Sequence, residues 1–205
     1  MMTKVIVFDF DKTLSYSDTL FGFFSSASTK NITYPFKVLI YLFTMVLAKF
    51  KFLSNSDLKH FGIILFLKGM NQNQLNSAAL AYSKKIKLNT LYNEFDFLSK
   101  DTIYIVSASF AVYLRPLFPS NVKVLGSKLL FKDERVIGLK ENCFKAQKIE
   151  ALLKEDIKII DVTYTDSYSD FSLASISKKT IIVNGDKTHE CENIEAFNSY
   201  FNKKQ

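Results

Sequence analysis

The sequence predicts an α/β fold: a doubly wound, mainly parallel sheet with an inserted all-helical cap. Three observations carry this. Val5-Ile6-Val7-Phe8 is an apolar run that ends in Asp9 and Asp11, the pattern of a strand buried on both faces with carboxylates at its carboxyl end. Further apolar strand patterns recur from residue 103 onward and alternate with helical ones, as a parallel sheet requires. Between the first two strands the chain has helical patterning only. The 205 residues suffice for a core with one inserted lobe. The expected α/β core is therefore 1–16 and 101–205, and the expected helical cap 17–100.

Taken in order, the chain supports each element. Asp18 to Ser26 is Phe-rich and starts a helix. Tyr34 to Leu53 is strongly apolar, and its uninterrupted part, Val38 to Ala48, is flanked by Lys37, Lys49 and Lys51. That is short of the roughly 20 apolar residues a spanning helix needs, although terminal lysines can snorkel. A second apolar run, Phe61 to Leu67, follows a capping signal at Ser56-Asp57. Asn71 to Leu88 has an amphipathic helix pattern, with Leu75, Ala78, Ala79, Tyr82 and Ile86 on one face. The two apolar runs are either ordinary buried core or a membrane-facing surface, because so small a lobe has difficulty burying both.

Ile103 to Val106 is the second strand and ends in Ser107-Ala108-Ser109. Val122 to Leu125 is the third, and Lys128 to Leu139 reads as a β-hairpin around Lys132-Asp133-Glu134-Arg135. Ala146 to Leu153 is a helix. Ile157 to Val162 is a fourth strand leading to Thr165-Asp166-Ser167-Tyr168-Ser169-Asp170. A short helix, the strand Thr180 to Val183 and a closing helix from Asn193 to Phe201 complete the chain.

Composition narrows the function. At 48% hydrophobic residues, with 20 Phe and 10 Tyr, the chain is too apolar for disorder. Cys143 and Cys191 are the only cysteines and His60 and His189 the only histidines, so neither a disulfide framework nor a zinc cluster is implied, and a reducing cytoplasm fits. The first strand begins within four residues of Met1, so no signal peptide is expected. The net charge of +7 comes from lysines spread along the chain. They suit a solvated surface, general anion affinity or an anionic membrane, and no nucleic-acid motif accompanies them.

Three strand ends carry polar signals: Asp9 and Asp11, Ser107, and Asp166 with Asp170. In an open α/β sheet they converge on one edge, where ligands bind. Taken alone, Asp9 and Asp11 could be turn residues capping the next helix; together, the set suits a magnesium ion and a phosphate. Magnesium takes oxygen ligands, usually one or two carboxylates plus phosphate and water. A carboxylate can act as a nucleophile, a second can give and take the proton, and a lysine and a hydroxyl can hold phosphoryl oxygens.

This order of motifs resembles the haloacid dehalogenase superfamily. Asp9-Phe10-Asp11-Lys12-Thr13-Leu14 matches its first motif, Ser107 its second, a lysine its third and the Asp166–Asp170 pair its fourth. Val106 to Phe110, Tyr113 to Pro116, Asn142-Cys143 and Lys148 look like the phosphoserine-phosphatase-like branch. The resemblance implies that Asp9 is the nucleophile and a Mg²⁺ ligand. It implies that Asp11 is the general acid and base and lends its main-chain carbonyl to the metal. Asp166 would be a further ligand, Ser107 a phosphoryl-oxygen donor, Thr13 a support for the loop, and Asp170 a group behind the metal or on the lysine. Lys148 is preferred to Lys145 as the phosphate-neutralising lysine, because the branch places its lysine five residues after the cysteine of the Asn-Cys pair. Retention of Asp11 implies phosphoryl transfer rather than dehalogenation. Asp18, at the cap entrance, either faces substrate or caps the helix before Leu20. The expected partner is a phosphorylated small molecule or a lipid phosphate, with no nucleic acid. The two apolar helices are similar in pattern to those of the membrane-associated phosphatidylglycerophosphatase C, which leaves peripheral contact with the inner membrane face open. A catalytically silent binding protein on the same fold is the alternative from another class.

Overall fold

The computed structural model describes residues 3–203; Met1, Met2, Lys204 and Gln205, which the sequence assigns to the core, lie outside the described residues. The elements are β1 (Val5–Phe8), α1 (Leu20–Ala27), α2 (Tyr34–Lys49), α3 (Asn55–Gly62), α4 (Gln72–Ser83), α5 (Thr90–Glu94), β2 (Thr102–Phe110), α6 (Ala111–Leu114), β3 (Lys123–Lys132), β4 (Arg135–Glu141), α7 (Ala146–Leu153), β5 (Ile160–Thr165), α8 (Phe171–Ser175), β6 (Ser177–Asn184), β7 (Lys187–Cys191) and α9 (Ile194–Asn202).

The described strands form one sheet in the order β4-β3-β2-β1-β5-β6-β7. β1 lies at its centre, parallel to β2 with Val5 opposite Thr102 and parallel to β5 with Ile6 opposite Val162. β3 and β6 extend the parallel sheet, and β4 and β7 add antiparallel edges. The chain runs from β1 out through β2 and β3, then crosses back to β5 and β6. Connections therefore leave β1 and β5 in opposite directions, and the crevice between their carboxyl ends is the switch point where such sheets bind ligands.

Alternation along β1 builds both faces. Ile6 and Phe8 join one cluster that continues through Phe10, Phe23, Phe24, Tyr41, Ile63 and Phe66. The helical insertion and that face of the sheet thus share a single core. Val7 faces the other way, against Tyr104, Val106, Leu152 and Leu173. One glycine is required by close approach. A Cβ on Gly126 of β3 would lie 2.7 Å from the Ser109 carbonyl oxygen and 2.9 Å from the Ala111 nitrogen, so β3 could not pass beneath the end of β2.

Several local expectations are corrected. α3 is capped by Ser54, not at Ser56-Asp57: the Ser54 hydroxyl accepts from the Asp57 N–H at 3.1 Å while Asp57 accepts from the Ser54 N–H at 3.0 Å. The second apolar run continues α3 as a π-turn, Ile63–Leu67, that buries Ile63, Phe66 and Leu67. α4 stops at Ser83 rather than Leu88, because the chain turns back to the core: Ser15 and Leu88 form a bridge and the Asn89 N–H donates to the Leu14 carbonyl at 3.0 Å. The third strand and the first arm of the hairpin are one strand, β3. β5 begins at Ile160, since the Ile157 N–H is spent on the Leu152 carbonyl, at 3.1 Å, closing α7. α5 and the charge-rich β7 had no apolar pattern to announce them.

α2 departs most from ordinary packing. It buries Tyr41 and Thr44 only and leaves Phe36, Leu39, Ile40, Phe43 and Val46 exposed. Among the described residues no helix is long and apolar enough to cross a membrane.

Candidate active site

The end of β1 sets the first group. Asp9 continues the ladder, its N–H donating to the Tyr164 carbonyl of β5 at 2.9 Å. The chain then turns sharply: the N–H groups of Thr13, Leu14 and Ser15 all converge on the Phe10 carbonyl at 2.9 to 3.2 Å. The turn puts Lys12 in the left-handed region, at φ 61°, a conformation with a cost for a side chain larger than glycine. Asn89 pins the turn from the helical side, donating from Nδ2 to the Thr13 carbonyl at 2.7 Å. The buried Thr13 hydroxyl itself has no hydrogen-bond partner among the described residues.

The third group arrives on α7. Lys145, at φ 53°, starts the helix. Lys148 lies one turn in and is buried, whereas Lys145 is exposed. The Lys148 Nζ donates to Asp9 Oδ1 at 2.7 Å and to Asp170 Oδ1 at 2.6 Å. The Thr165 hydroxyl, from β5, donates to the other oxygen of Asp170 at 2.7 Å. Two buried carboxylates therefore share one ammonium. Burial works against the Lys148 charge, but Asp9 and then Asp170 outweigh it and hold the ammonium above the usual lysine range. Burial raises Asp9, and Lys148 offsets that only in part because Asp170 competes for the same cation.

Asp11 is held separately. Its Oδ1 accepts from the Thr19 N–H at 2.7 Å and the Thr19 hydroxyl at 2.6 Å, and its Oδ2 takes a short bond from the Ser109 hydroxyl. Tyr113 Oη lies 2.9 Å from Thr19 Oγ1, and Tyr82 Oη donates to the Thr19 carbonyl at 2.7 Å. Burial raises the Asp11 carboxyl, with the Ser109 and Thr19 bonds lowering it in part.

Asp9, Asp11 and Lys148 line a cavity of about 220 Å³ together with Lys12, Asp18, Lys59, Ser109 and Asp166. Asp9, Asp11, Lys148 and Asp166 are therefore brought together as expected. Asp18 sits at the rim, exposed and paired to Lys12 at 2.5 Å. It does not cap α1, whose N-cap is Thr19. Ser107 is fully buried and is not on the cavity wall; its hydroxyl accepts the Ser109 N–H at 3.1 Å, and Ser109 is the hydroxyl that reaches the cavity.

Sequence reasoning missed Lys59. It stands on α3, is 1% exposed, and lines the same cavity. Its Nζ donates to the Ser127 hydroxyl at 3.0 Å and to Asn142 Oδ1. Both partners are neutral, and burial pulls its pKa down to about 7. Ser127 also accepts the Cys143 N–H at 3.2 Å and donates to the Ala108 carbonyl at 2.7 Å. Asn142 donates to the Ser56 hydroxyl at 2.9 Å. One small network so ties the insertion to the ends of β2 and β3.

The donor set fits a hard divalent cation. Among the described residues no cluster of three or more acidic, His or Cys side chains is close enough to hold a metal. Asp9 and Asp166, both on the cavity wall, are the carboxylates that could hold one. Burial and then the Asp170 charge push Asp166 up to about 6, with Lys12 and Lys148 lowering it in part.

A carboxylate pair, a buried lysine and a second acidic strand end are thus gathered at the switch point of a doubly wound sheet. The chain belongs to the haloacid dehalogenase-like hydrolases, whose family model matches residues 6–175. A search of curated proteins finds no match. Among solved structures, a Bordetella pertussis Tohama I protein of unknown function superposes with a TM-score of 0.68 at 14% identity, covering 91% of this chain and 92% of its own. A phosphoserine phosphohydrolase-like protein from Francisella tularensis subsp. tularensis SCHU S4 gives 0.59 at 16% identity, covering 97% and 99%. A substrate-bound phosphoserine phosphatase gives 0.60 at 17%, covering 98% and 99%. At these identities the likeness is one of fold, and it is the fold of the phosphoserine-phosphatase-like branch.

Proposed function

We propose that this chain is a magnesium-dependent phosphomonoesterase that works through an aspartyl-phosphate at Asp9, on a small organic or lipid phosphate. The observation that carries the proposal is the division of labour between two carboxylates of one turn. Asp9 is tied to a buried cation, and Asp11 is tied to hydroxyls and an N–H. The Lys148 ammonium favours the anion at Asp9 against the burial that raises it, and Asp11, raised by burial and held by hydroxyls and an N–H, is the group proposed to move the proton.

In the first half-reaction an Asp9 carboxylate oxygen bonds to phosphorus and the bond from phosphorus to the leaving oxygen breaks. Asp11 gives its proton to that oxygen. In the second, Asp11 takes a proton from water as the water oxygen attacks phosphorus, and Asp9 leaves as carboxylate. Lys148 offsets charge on Asp9 and on the phosphoryl oxygens. Ser109, on the cavity wall, orients Asp11, and Ser107 holds the Ser109 N–H from behind. Asp9, Asp166 and the Asp11 main-chain carbonyl would hold Mg²⁺, which when bound neutralises the phosphate. Residues 17–100 act as the cap that closes over the site and excludes water.

The test is phosphate release from phosphoserine, sugar phosphates, nucleotides and a lipid phosphate, with and without magnesium, beside Asp9→Asn. Magnesium-dependent release that Asp9→Asn abolishes, with the variant still folded, is the expected outcome. Full turnover by Asp9→Asn would overturn the mechanism, and no release from any substrate would favour a silent binding protein.

A further inference from the structure

We propose that the outer face of α2 is a docking surface for an anionic lipid bilayer. The helix is apolar all round. Its inner side packs Val38 and Tyr41 on the core, and its outer side carries Phe36 (66% exposed), Leu39 (67%), Phe43 (62%) and Val46 at helical spacing. The stripe continues beyond the helix through Phe50 and Phe52, both exposed. So continuous an apolar patch on a surface marks an interaction site.

Charge selects the occupant. Residues 19–56 contain four lysines, Lys30, Lys37, Lys49 and Lys51, and no aspartate or glutamate. Two copies meeting through this face would bring like charges together around the apolar stripe, whereas an anionic membrane neutralises them. Length selects the geometry. Sixteen residues span about 24 Å, less than the roughly 30 Å hydrocarbon core. The helix therefore lies in the interface plane, with its aromatic and aliphatic side chains in the acyl boundary and its lysines among the headgroups. The surface also adjoins the catalytic site: a groove of about 600 Å³ runs from Ala48 and Lys51 to Phe144, and Asn55 and Phe144 line both this groove and the catalytic cavity. Docking on α2 would set the site's approach beside the headgroup layer. None of this depends on the phosphatase mechanism.

The experiment is flotation of the full chain with vesicles of phosphatidylcholine alone or mixed with phosphatidylglycerol. The chain is expected to float with the mixed vesicles, at least about tenfold more weakly with phosphatidylcholine alone, and more weakly as salt rises. Phe43→Asp lowers partitioning by about tenfold or more with an unchanged circular dichroism spectrum, because Phe43 is not part of the core. Lys49→Glu combined with Lys51→Glu weakens binding to the mixed vesicles only. Absence of flotation with mixed vesicles overturns the proposal, as does flotation that Phe43→Asp leaves intact. A dimer in sedimentation that Phe43→Asp splits would assign the face to a second copy instead.

Discussion

The catalytic crevice and the outer face of α2 break the same rule in opposite directions. At the crevice, Asp9, Lys148 and Asp170 are charged groups taken out of water. On α2, Phe36, Leu39 and Phe43 are large apolar groups left in it. Neither arrangement helps this chain fold alone. A buried ion triad roughly breaks even against an apolar core at best, and an exposed phenylalanine contributes almost nothing. The shared core follows ordinary burial, with Phe23, Phe24, Tyr113 and Phe110 packed without exposure. The comparison teaches that neither exception is explained by how the molecule stands up, and the proposals above assign one to a reacting anion and the other to a surface outside the chain.

The sharpest way to break the comparison is at Lys148. Lys148→Met leaves Asp9 and Asp170 facing each other in a buried site without their cation. The expected loss is about 3–5 kcal/mol with phosphate release at background, read by thermal melts and by turnover. An unchanged melting temperature would mean that the triad is more hydrated than its burial indicates.

Next comes a pair within the insertion. Phe24→Ala removes a ring that packs on Tyr41, Phe66 and Phe110, and it should cost about 3–5 kcal/mol. Phe43→Ala, two residues beyond Tyr41 and on the other side of the helix, should stay within about 0.5 kcal/mol. Denaturant midpoints measure both. Equal losses would show that α2's outer face is covered within the chain itself.

Lys59 gives a smaller effect with a distinctive sign. Its ordinary pKa of 10.5 falls to about 7 on burial. Between those values the unfolded chain binds a proton that the folded chain does not, so stability rises with pH across that window. Lys59→Met should flatten this slope and stabilise the chain at neutral pH by about 1–3 kcal/mol, while phosphate release falls about tenfold or more. Gain in stability with loss of activity is the mark of a residue kept for function. Loss of both would make Lys59 a structural strut between α3 and β3.

How legible these regions were in the sequence follows from the range of the forces that place them. Asp9 and Asp11 were readable because a local apolar run dictates the strand and the strand's end dictates the edge. Lys148 was separable from Lys145 only through the family spacing, and burial now divides them on physical grounds. Lys59 was not readable, since its neighbours Asp57 and His60 give it the look of a solvated helix face. Its burial comes from Ser127 and Asn142, 68 and 83 residues away. The end of α4 was lost for the same reason, a long-range bridge from Ser15 to Leu88 overriding local periodicity. On α2 the sequence left buried core and membrane face both open, because a helix apolar all round carries no moment to say which side turns inward.

The smallest effect belongs to Asp166. Its ordinary pKa of 3.8 rises to about 6, through burial first and the Asp170 charge second. A raised acid pKa means that the folded chain binds this proton more tightly than the unfolded one. Without magnesium, ionised Asp166 therefore opposes folding above about pH 6, and the opposition fades as pH falls toward 3.8. A cation at this carboxylate acts the other way. Magnesium should raise the melting temperature by a few degrees at alkaline pH, and the rise should shrink as pH drops through about 6, because proton and metal compete for the same oxygens. Asp166→Asn should melt slightly higher than the parent in metal-free buffer at alkaline pH and should lose most of the magnesium response. Scanning calorimetry at two pH values, with and without magnesium, reads all of this. A magnesium response that Asp166→Asn keeps in full would move the cation to Asp9. The triad would then be a site where metal displaces Lys148 rather than sits beside it, and the separation between a sealed ion cluster and an open metal seat would be lost.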